Sequence, residues 1–184
     1  PAHVDERAIE SSLEGAFPAE IVCALATAKA EAIAPEYPDD VVVGGDSMLL
    51  LNGELQGKPH TEAATVERWR AQAGREGVLH SGHWLGLVLP EPGVGSGMAA
   101  EAGVVSAVVR FGAVTEAEIQ AYVATGEPLH CAGAFTVDGA GAALVDGVDG
   151  DPNAVIGLSV AWLRRATAAL GQDLSLIHIS EPTR

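Results

Sequence analysis

An aspartate and a lysine within one short stretch are the residue types that a phosphate-cleaving site requires. Asp46 and Lys58 stand in the string GGDSMLLLNGELQGKP. The glycines before the aspartate let a ligand approach the backbone, the carboxylate can hold a metal ion or activate water, and the ammonium can neutralise phosphate oxygens. In the alternative interpretation, Asp46 caps a turn and Lys58 is a solvated loop charge, and the spacing alone leaves both open.

A predicted hairpin brings these two side chains together. Val41 to Val43 form an apolar run that predicts a buried strand ending near Asp46, and Asn52-Gly53 is a strong two-residue turn signal. Lys58 follows the partner strand. Because a hairpin places both strand ends near each other, we expect the carboxylate and the ammonium to converge across one groove and hold a metal-bound polyphosphate.

Four further patterns predict helices and strands around the hairpin. Pro18 opens a helix through AEIVCALATAKAEAIA, with an expected buried stripe of Ile21, Leu25, Ala28 and Ala32. Capping residues predict helices over 61–73, from Thr115 to Gly126 and from Ser159 to Leu170. VLHSGHWLGLVLP and VVSAVVRFG predict strands, the Gly-rich segment 90–103 predicts a surface loop, and 133–152 predicts strand, turn and strand.

Composition narrows the class of protein. The net charge of -15, from 10 basic and 25 acidic residues, argues against nucleic-acid polymers as partners. A small polyphosphate stays possible because a few cations and a divalent ion act locally. Cys23 and Cys131 form no metal or disulfide pattern, and neither a membrane span nor a signal peptide is recognisable, so we expect a cytoplasmic protein.

Longer motifs resemble one known family. GGDSMLLLNGELQGKP, then FGAVTEAEIQAYVATGEPLHCAGAF, then DGAGAALVDGVDGDPNAVIGLS and a closing helix follow the order and spacing of the Maf family of nucleoside triphosphate pyrophosphatases. The resemblance covers most of residues 4–170. It implies an α/β fold related to inosine-triphosphate pyrophosphatases: an elongated mixed sheet flanked by helices, with a central cleft. It also implies a divalent metal (Mg or Mn), a nucleoside triphosphate substrate and a homodimer.

The resemblance assigns roles residue by residue. Asp46 matches the family aspartate that accepts the proton of the attacking water and helps to hold the metal. Lys58, in QGKP, matches the lysine on the triphosphate, and Lys29 resembles a helix lysine that also faces phosphate. Glu6 looks like an acidic metal ligand. For Glu6 and Lys29, ordinary surface charges are the alternative. The products would be a nucleoside monophosphate and pyrophosphate.

Other positions have weaker assignments. Glu127-Pro128 and Ala132-Gly133 match family signatures that we interpret as scaffold beside the cleft, although Glu127 could also touch ligand or metal. Cys131 is expected to be a buried small residue rather than a nucleophile, because no activating neighbour is identifiable. His80 and His83 have an odd offset on one strand, which places them on opposite faces and argues against a shared metal site.

The chain also departs from the family pattern. PAHVDERAIE contains nothing like the initial strand and Ser-Pro-Arg-Arg segment, so we expect roughly 30 residues to be missing, with exposed sheet edges and doubtful activity as consequences. Residues 1–171 are expected to form one domain, and 172–184 to be a non-native tail. Asp138, which the resemblance places among the substrate-binding residues, stands where many relatives carry Gln, so base selectivity cannot be transferred from Gln-bearing relatives. Ser47 and Thr61 are smaller departures.

Three interpretations therefore remain open. In the first, the chain is a pyrophosphatase that cleanses the nucleotide pool. In the second, it is a nucleotide-binding regulator of septum formation and cell division with little or no hydrolysis. In the third, it is an α/β domain without a nucleotide role. The presence of Asp46 and Lys58 favours the enzyme.

Overall fold

A computed structural model describes residues 4–37, 40–91 and 95–172. Five strands form one sheet in the order β2-β1-β3-β4-β5, where β1 is Val41–Leu51, β2 Glu54–Gln56, β3 Glu76–Glu91, β4 Gly95–Phe111 and β5 Val145–Asp149. All four pairings among these strands are antiparallel. The α/β class is confirmed, whereas the mixed sheet that the resemblance implied is replaced by an antiparallel one in the described part of the chain.

Helices cover both faces of this sheet. They are α1 (Glu6–Ser12), α2 (Pro18–Ile33), α3 (Glu62–Gln72), α4 (Glu116–Ala124), α5 (Pro152–Ile156) and α6 (Val160–Ala169), joined by short 3₁₀ turns. Helix α2 packs on the face to which Gly44 and Gly82 belong. The other face carries the largest apolar cluster, where Trp69 of α3 meets Phe111 and Tyr122 edge to face. None of the described helices combines the length and apolar character needed to cross a bilayer.

The structure confirms the predicted turn of the hairpin, but the predicted burial of Val41 to Val43 is wrong for two of the three valines. Asn52 and Gly53 both have positive φ, 51° and 83°, as a tight two-residue turn requires. Val42 is buried, but Val41 and Val43 are 48% and 39% exposed. Asp46 lies in the middle of the strand rather than at its end. Val42 lies on the face that packs against Ala30 and Ala34 of the segment that begins with α2, whereas Val41 and Val43 point to the opposite face. The early part of β1 is also at the sheet edge among the described strands, since β2 pairs only with residues 49–51.

Two Gly-rich segments differ from prediction. Residues 95–103, expected in a loop, belong to β4, which pairs with β3 from Gly95 onward. Small residues are compatible with this long two-stranded ladder because backbone hydrogen bonds hold it. Between 133 and 152 only β5 is a strand. The part of the segment before β5 forms 3₁₀ turns over Ala132–Ala134 and Ala140–Leu144. The capped helices α3, α4 and α6 agree with their predicted ranges.

The tail prediction largely concerns residues 173–184, which lie outside the described residues.

Helix α2 confirms its predicted range but only part of its predicted stripe, since Leu25 is buried as expected. The buried residues are Val22, Leu25, Ala26 and Ala30, whereas Ala32 is exposed. Small residues turn inward because the sheet opposite has no side chains in two places. A Cβ on Gly44 would lie 2.6 Å from the Ala30 Cβ, and one on Gly82 would lie 2.7 Å from the Cys23 backbone nitrogen. The helix backbone therefore rests almost directly on the strands.

The Gly82→Ala substitution tests this close approach. The new methyl group would meet the backbone of α2, which cannot rotate away, so we expect a loss of roughly 1–3 kcal/mol or more in the free energy of unfolding. The measurement is urea unfolding followed by circular dichroism. Gly45→Ala is the matched control, since its Cβ would find its nearest neighbour at 3.4 Å. Equal stability of the two variants would contradict the packing described here.

His83 is a fully buried histidine held in its neutral form. Its Nδ1–H donates to the Ser81 carbonyl at 3.0 Å, and its Nε2 accepts from the Ser159 backbone N–H at 2.9 Å. Trp162 covers the ring, with centroids 5.0 Å apart. Burial lowers the pKa of His83, and the Ser81 hydrogen bond and the Asp151 charge offset this only in part. His80 instead bonds Ser106, as expected for the opposite face.

The neutral state of His83 predicts a loss of stability in acid. A second ring proton would point at the Ser159 N–H, so the folded state resists protonation while the unfolded chain accepts it near the ordinary histidine pKa. The stability contributed by neutral His83 is fully present above the pKa of histidine in the unfolded chain. It is lost as the pH falls from that value towards the lower pKa of the folded state, at up to about 1.4 kcal/mol per pH unit. Unfolding free energies of wild type and His83→Gln, measured from pH 7.5 to 5, should therefore converge as the pH falls. The exposed His130→Gln serves as the control, and parallel curves for wild type and His83→Gln would contradict the assignment.

Candidate active site

Lys29, Asp46 and Glu6 form an ion cluster where α2 crosses the sheet. The Lys29 ammonium lies 2.5 Å from the Asp46 Oδ1 and 3.0 Å from the Glu6 Oε1. The side chains of Lys29 and Asp46 are 24% and 13% exposed, against 51% for Glu6. The three residues come from α2, β1 and α1, so three separate elements converge on one point. The structure thus brings together three of the predicted site residues.

The elements that deliver these side chains follow from local sequence. Asp46 has an even position on β1, the face on which Gly44 admits α2 so closely. Lys29 lies one residue before Ala30, which contacts that glycine position. Asp5 caps the N-terminus of α1 by accepting from the Ala8 N–H at 3.1 Å, which places Glu6 in the first turn. Close helix packing therefore sets the distance between the lysine and the aspartate.

The environment shifts the pKa of both partners upward. Burial raises the pKa of Asp46, and the hydrogen bond and charge of Lys29 lower it only in part. Burial lowers the pKa of Lys29, but the hydrogen bonds and charges of Asp46 and Glu6 together outweigh that effect. The ammonium therefore stays charged, and the aspartate is more basic than an ordinary carboxylate. A carboxylate with a raised pKa is a better proton acceptor.

Two adjoining cavities meet at Asp46. The first, of about 470 Å³, and the second, of about 620 Å³, share Lys29, Asp46, Ser47 and Lys58 in their walls. Lys58 also acts on Asp46 through its charge, which lowers the aspartate pKa slightly. The predicted convergence of Asp46 and Lys58 is thus present as a shared wall. Of these two cavities, Glu6 lines the second.

The first cavity also includes residues to which sequence analysis assigned no role. His130, Thr136 and the segment 155–157 contribute to its wall, and Gly157 has φ 135° at the end of α5. One signal was available: Asp151 followed by Pro152 marks a helix start, and Gly157 marks its stop. Cys131 lines the same wall, where burial, followed by the charges of Glu127 and Asp138, raises the pKa of its thiol. A raised thiol pKa agrees with a non-nucleophilic cysteine.

Asp138 lies beside the first cavity rather than in its wall. Its carboxylate is exposed and accepts a hydrogen bond from the Thr136 hydroxyl, which does line the cavity. Direct contact between Asp138 and a substrate therefore requires the ligand to extend beyond the described cavity wall. Its role in substrate binding stays a prediction.

Glu127 fastens the turn that follows Asp138. Its carboxylate accepts from the Ala140 and Gly141 backbone N–H groups, both at 2.9 Å, and from the Tyr122 hydroxyl at 2.8 Å. Burial raises the pKa of Glu127, but these three hydrogen bonds outweigh it and hold the pKa below its ordinary value. Glu127 lines neither of the two cavities at Asp46, which favours the scaffold interpretation.

The metal-ligating potential of the site rests on two carboxylates. Within the ranges that the structure describes, no group of three or more His, Cys, Asp or Glu side chains could hold a metal ion. Asp46 and Glu6 nevertheless lie near enough to share the Lys29 ammonium. Mg²⁺ commonly binds through one or two carboxylates together with substrate phosphates, so this pair fits an ion that arrives with its substrate.

Comparisons with known proteins identify the family. Residues 1–170 match the family described as Maf-like protein. A protein of Corynebacterium aurimucosum named nucleoside triphosphate pyrophosphatase is 59% identical over 175 residues, covering 95% of this chain and 84% of that protein. Proteins with the same name from Saccharopolyspora erythraea and a Mycobacterium species are 49% and 48% identical, covering 91% and 94% of this chain and 80% and 82% of their own lengths. The chain therefore belongs to the Maf-like protein family.

Proposed function

We propose that this chain hydrolyses nucleoside triphosphates to a nucleoside monophosphate and pyrophosphate. The observation that carries the proposal is the shared wall: Asp46 and Lys58 line the same two adjoining cavities, and Lys29 lines both as well. The relatives named nucleoside triphosphate pyrophosphatase support the same activity at 48–59% identity. The two cavities would together form the central cleft of an elongated fold like that of inosine-triphosphate pyrophosphatases.

In this proposal the protein's own residues divide the work. Asp46 accepts the proton of the attacking water, for which its buried position and raised pKa suit it. Lys58 and Lys29 offset the phosphate charge that builds up in the transition state. Asp46 and Glu6 would hold a divalent cation, Mg²⁺ or Mn²⁺. Such an ion would polarise a phosphoryl oxygen.

The charge balance of the second cavity supports a metal-bound polyphosphate rather than a free one. Glu6, Glu10 and Asp46 line the second cavity together with Arg7, Lys29 and Lys58. Three anionic and three cationic side chains leave this wall without excess positive charge, and the whole chain carries -15. A triphosphate would therefore be repelled by the protein's overall field unless a divalent ion travelled with it.

Other properties follow from the same proposal. Cys23 and Cys131 are free thiols, which fits a reducing cytoplasm. We infer a homodimer, as the resemblance implied, and light scattering of the purified chain would test it.

Asp46→Asn tests the proton acceptor. The amide keeps the shape of the side chain but cannot take a proton, so we expect kcat for pyrophosphate release to fall by about 10²- to 10⁴-fold. The assay is a panel of nucleoside triphosphates with Mg²⁺ or Mn²⁺. Asp149→Asn, on the surface at β5, is the control and should retain activity. An unchanged rate in Asp46→Asn would remove the aspartate from its role, and triphosphate binding without turnover in wild type would support the regulator instead.

Lys58→Met tests the phosphate contact separately from the proton transfer. Removing the ammonium should raise KM by roughly tenfold or more, because a charge-assisted hydrogen bond to phosphate is lost. Lys58→Arg keeps a positive charge and should recover part of the affinity. The effect should grow as the number of substrate phosphates increases. Equal KM values for wild type and Lys58→Met would show that the lysine does not touch substrate.

A further inference from the structure

The Gly57 carbonyl is a junction between three parts of the chain. Gly57 directly precedes Lys58, and its oxygen accepts a hydrogen bond from the Arg68 guanidinium of α3. The same oxygen accepts from the Gly133 backbone N–H at 3.2 Å. Arg68 lines neither cavity at Asp46, so it is set back from the ligand space that Lys58 enters.

The segment from 57 to 60 is fixed at both ends. His60 donates its backbone N–H to the Leu129 carbonyl at 3.0 Å and has φ 61°, a conformation uncommon for any residue other than glycine. Such a conformation persists only where the surroundings enforce it. Pro59 is buried, whereas Lys58 is exposed to the cavities. Lys58 and the exposed His60 are therefore the side chains of this segment that border the second cavity.

Partial burial of the charged Arg68 guanidinium is energetically unfavourable for a purely structural contact. Burial lowers its pKa, and the charge of Glu54 offsets this only in part. Within the described residues it makes no ion pair of the kind that Arg70 makes with Glu116 and Glu67. Its hydrogen bond to a neutral carbonyl is therefore its main polar contact in the described structure. A half-buried cation without a close carboxylate needs a reason beyond surface charge.

We propose that Arg68 is a positioning residue for the triphosphate site. Its guanidinium holds the Gly57 carbonyl and thereby fixes the direction in which the Lys58 ammonium enters the cleft. Gly133 donates its backbone N–H to the same carbonyl, and a Cβ there would lie 2.7 Å from the Leu49 side chain. This inference rests on the proposed function, because it assigns Arg68 an effect on a substrate that Lys58 binds.

A double-mutant cycle tests the coupling. Wild type, Arg68→Met, Lys58→Met and the double variant are assayed for KM and kcat with the preferred triphosphate and Mg²⁺. Arg68→Met alone should raise KM by about three- to tenfold, with a smaller change in kcat, since it displaces a binding group. In the Lys58→Met background the same substitution should have little further effect. An equal rise of KM in both backgrounds would overturn the proposal.

Two further variants separate positioning from general destabilisation. Arg68→Lys retains a donor and should recover part of the affinity, although its single ammonium cannot reproduce the planar fork. Arg70→Met removes an exposed cation from the same helix, two residues on, and should leave KM at the wild-type value. A KM rise in Arg70→Met equal to that in Arg68→Met would mean that any damage to α3 has this effect, and the proposal would fail.

Hydrogen exchange gives a readout that does not depend on activity. The amides of Gly133 and His60, which bond Gly57 and Leu129, should exchange faster in Arg68→Met and not in Arg70→Met. Unchanged exchange in Arg68→Met would overturn the positioning role whatever the kinetics. If exchange responds as expected but wild type releases no pyrophosphate from any triphosphate, the proposed function fails and the structural link from Arg68 to Gly57 stands.

Discussion

The contact between helix α2 and the sheet leaves no room for a side chain at Gly44 or Gly82. At Gly44 a Cβ would lie 2.5 Å from the Ala26 carbonyl oxygen, so the helix axis is as near to the strands as the backbone permits. This distance decides the chemistry, because the next turn of the helix carries Lys29 to within 2.5 Å of Asp46. With side chains at either glycine, the helix would be displaced and the ion pair would be stretched. Packing of the smallest residues thus sets the electrostatics of the site.

Partial burial gives this ion pair its properties. An exposed aspartate beside a lysine would have a lowered pKa, whereas Asp46 has a raised one because burial outweighs the pairing. The lysine keeps the carboxylate from being an isolated buried charge, which would be far more costly. Glu6, half exposed, supplies a second negative charge without the same desolvation. The cluster therefore combines the Asp46 carboxylate, which has a raised pKa, with the opposite charges of Lys29 and Glu6 beside it.

The sequence predicted elements better than faces. Local signals identified α2, α3, α4 and α6 with their caps, because Pro18, Thr61, Thr115 and Ser159 act within one turn of the helix. The buried face of α2 was predicted correctly only at Leu25, because helical periodicity places an apolar stripe from the helix sequence alone. In the structure, the glycines of the sheet opposite select Ala26 and Ala30 in preference to larger side chains. That selection depends on a partner element and cannot be read from the helix alone.

The site residues that are close in sequence could likewise be predicted, whereas those that only tertiary folding brings together could not. Asp46 and Lys58 were found from residue type and a hairpin, since both lie within a dozen residues of the turn. His130, Thr136 and Gly157 were not, because they come from segments far along the chain that only tertiary folding brings to Asp46. The Gly-rich stretches also misled, since glycine permits both a flexible loop and a long ladder such as β3 with β4. Deciding between these required the pairing partner.

The exit of the chain from β2 explains why a cavity exists at Asp46. Strand β2 ends at Gln56, and Pro59 has no N–H with which a ladder could continue. The residues of β1 before Leu49 therefore lack a neighbour on that side among the described strands, and Gly45 and Ser47 border the first cavity instead. The Gly57 carbonyl turns away from the sheet toward Arg68 and Gly133. The end of β2 at Gln56 thus leaves the edge of β1 beside Asp46 without a neighbouring strand among those described, and Lys58 lines the cavity at that edge.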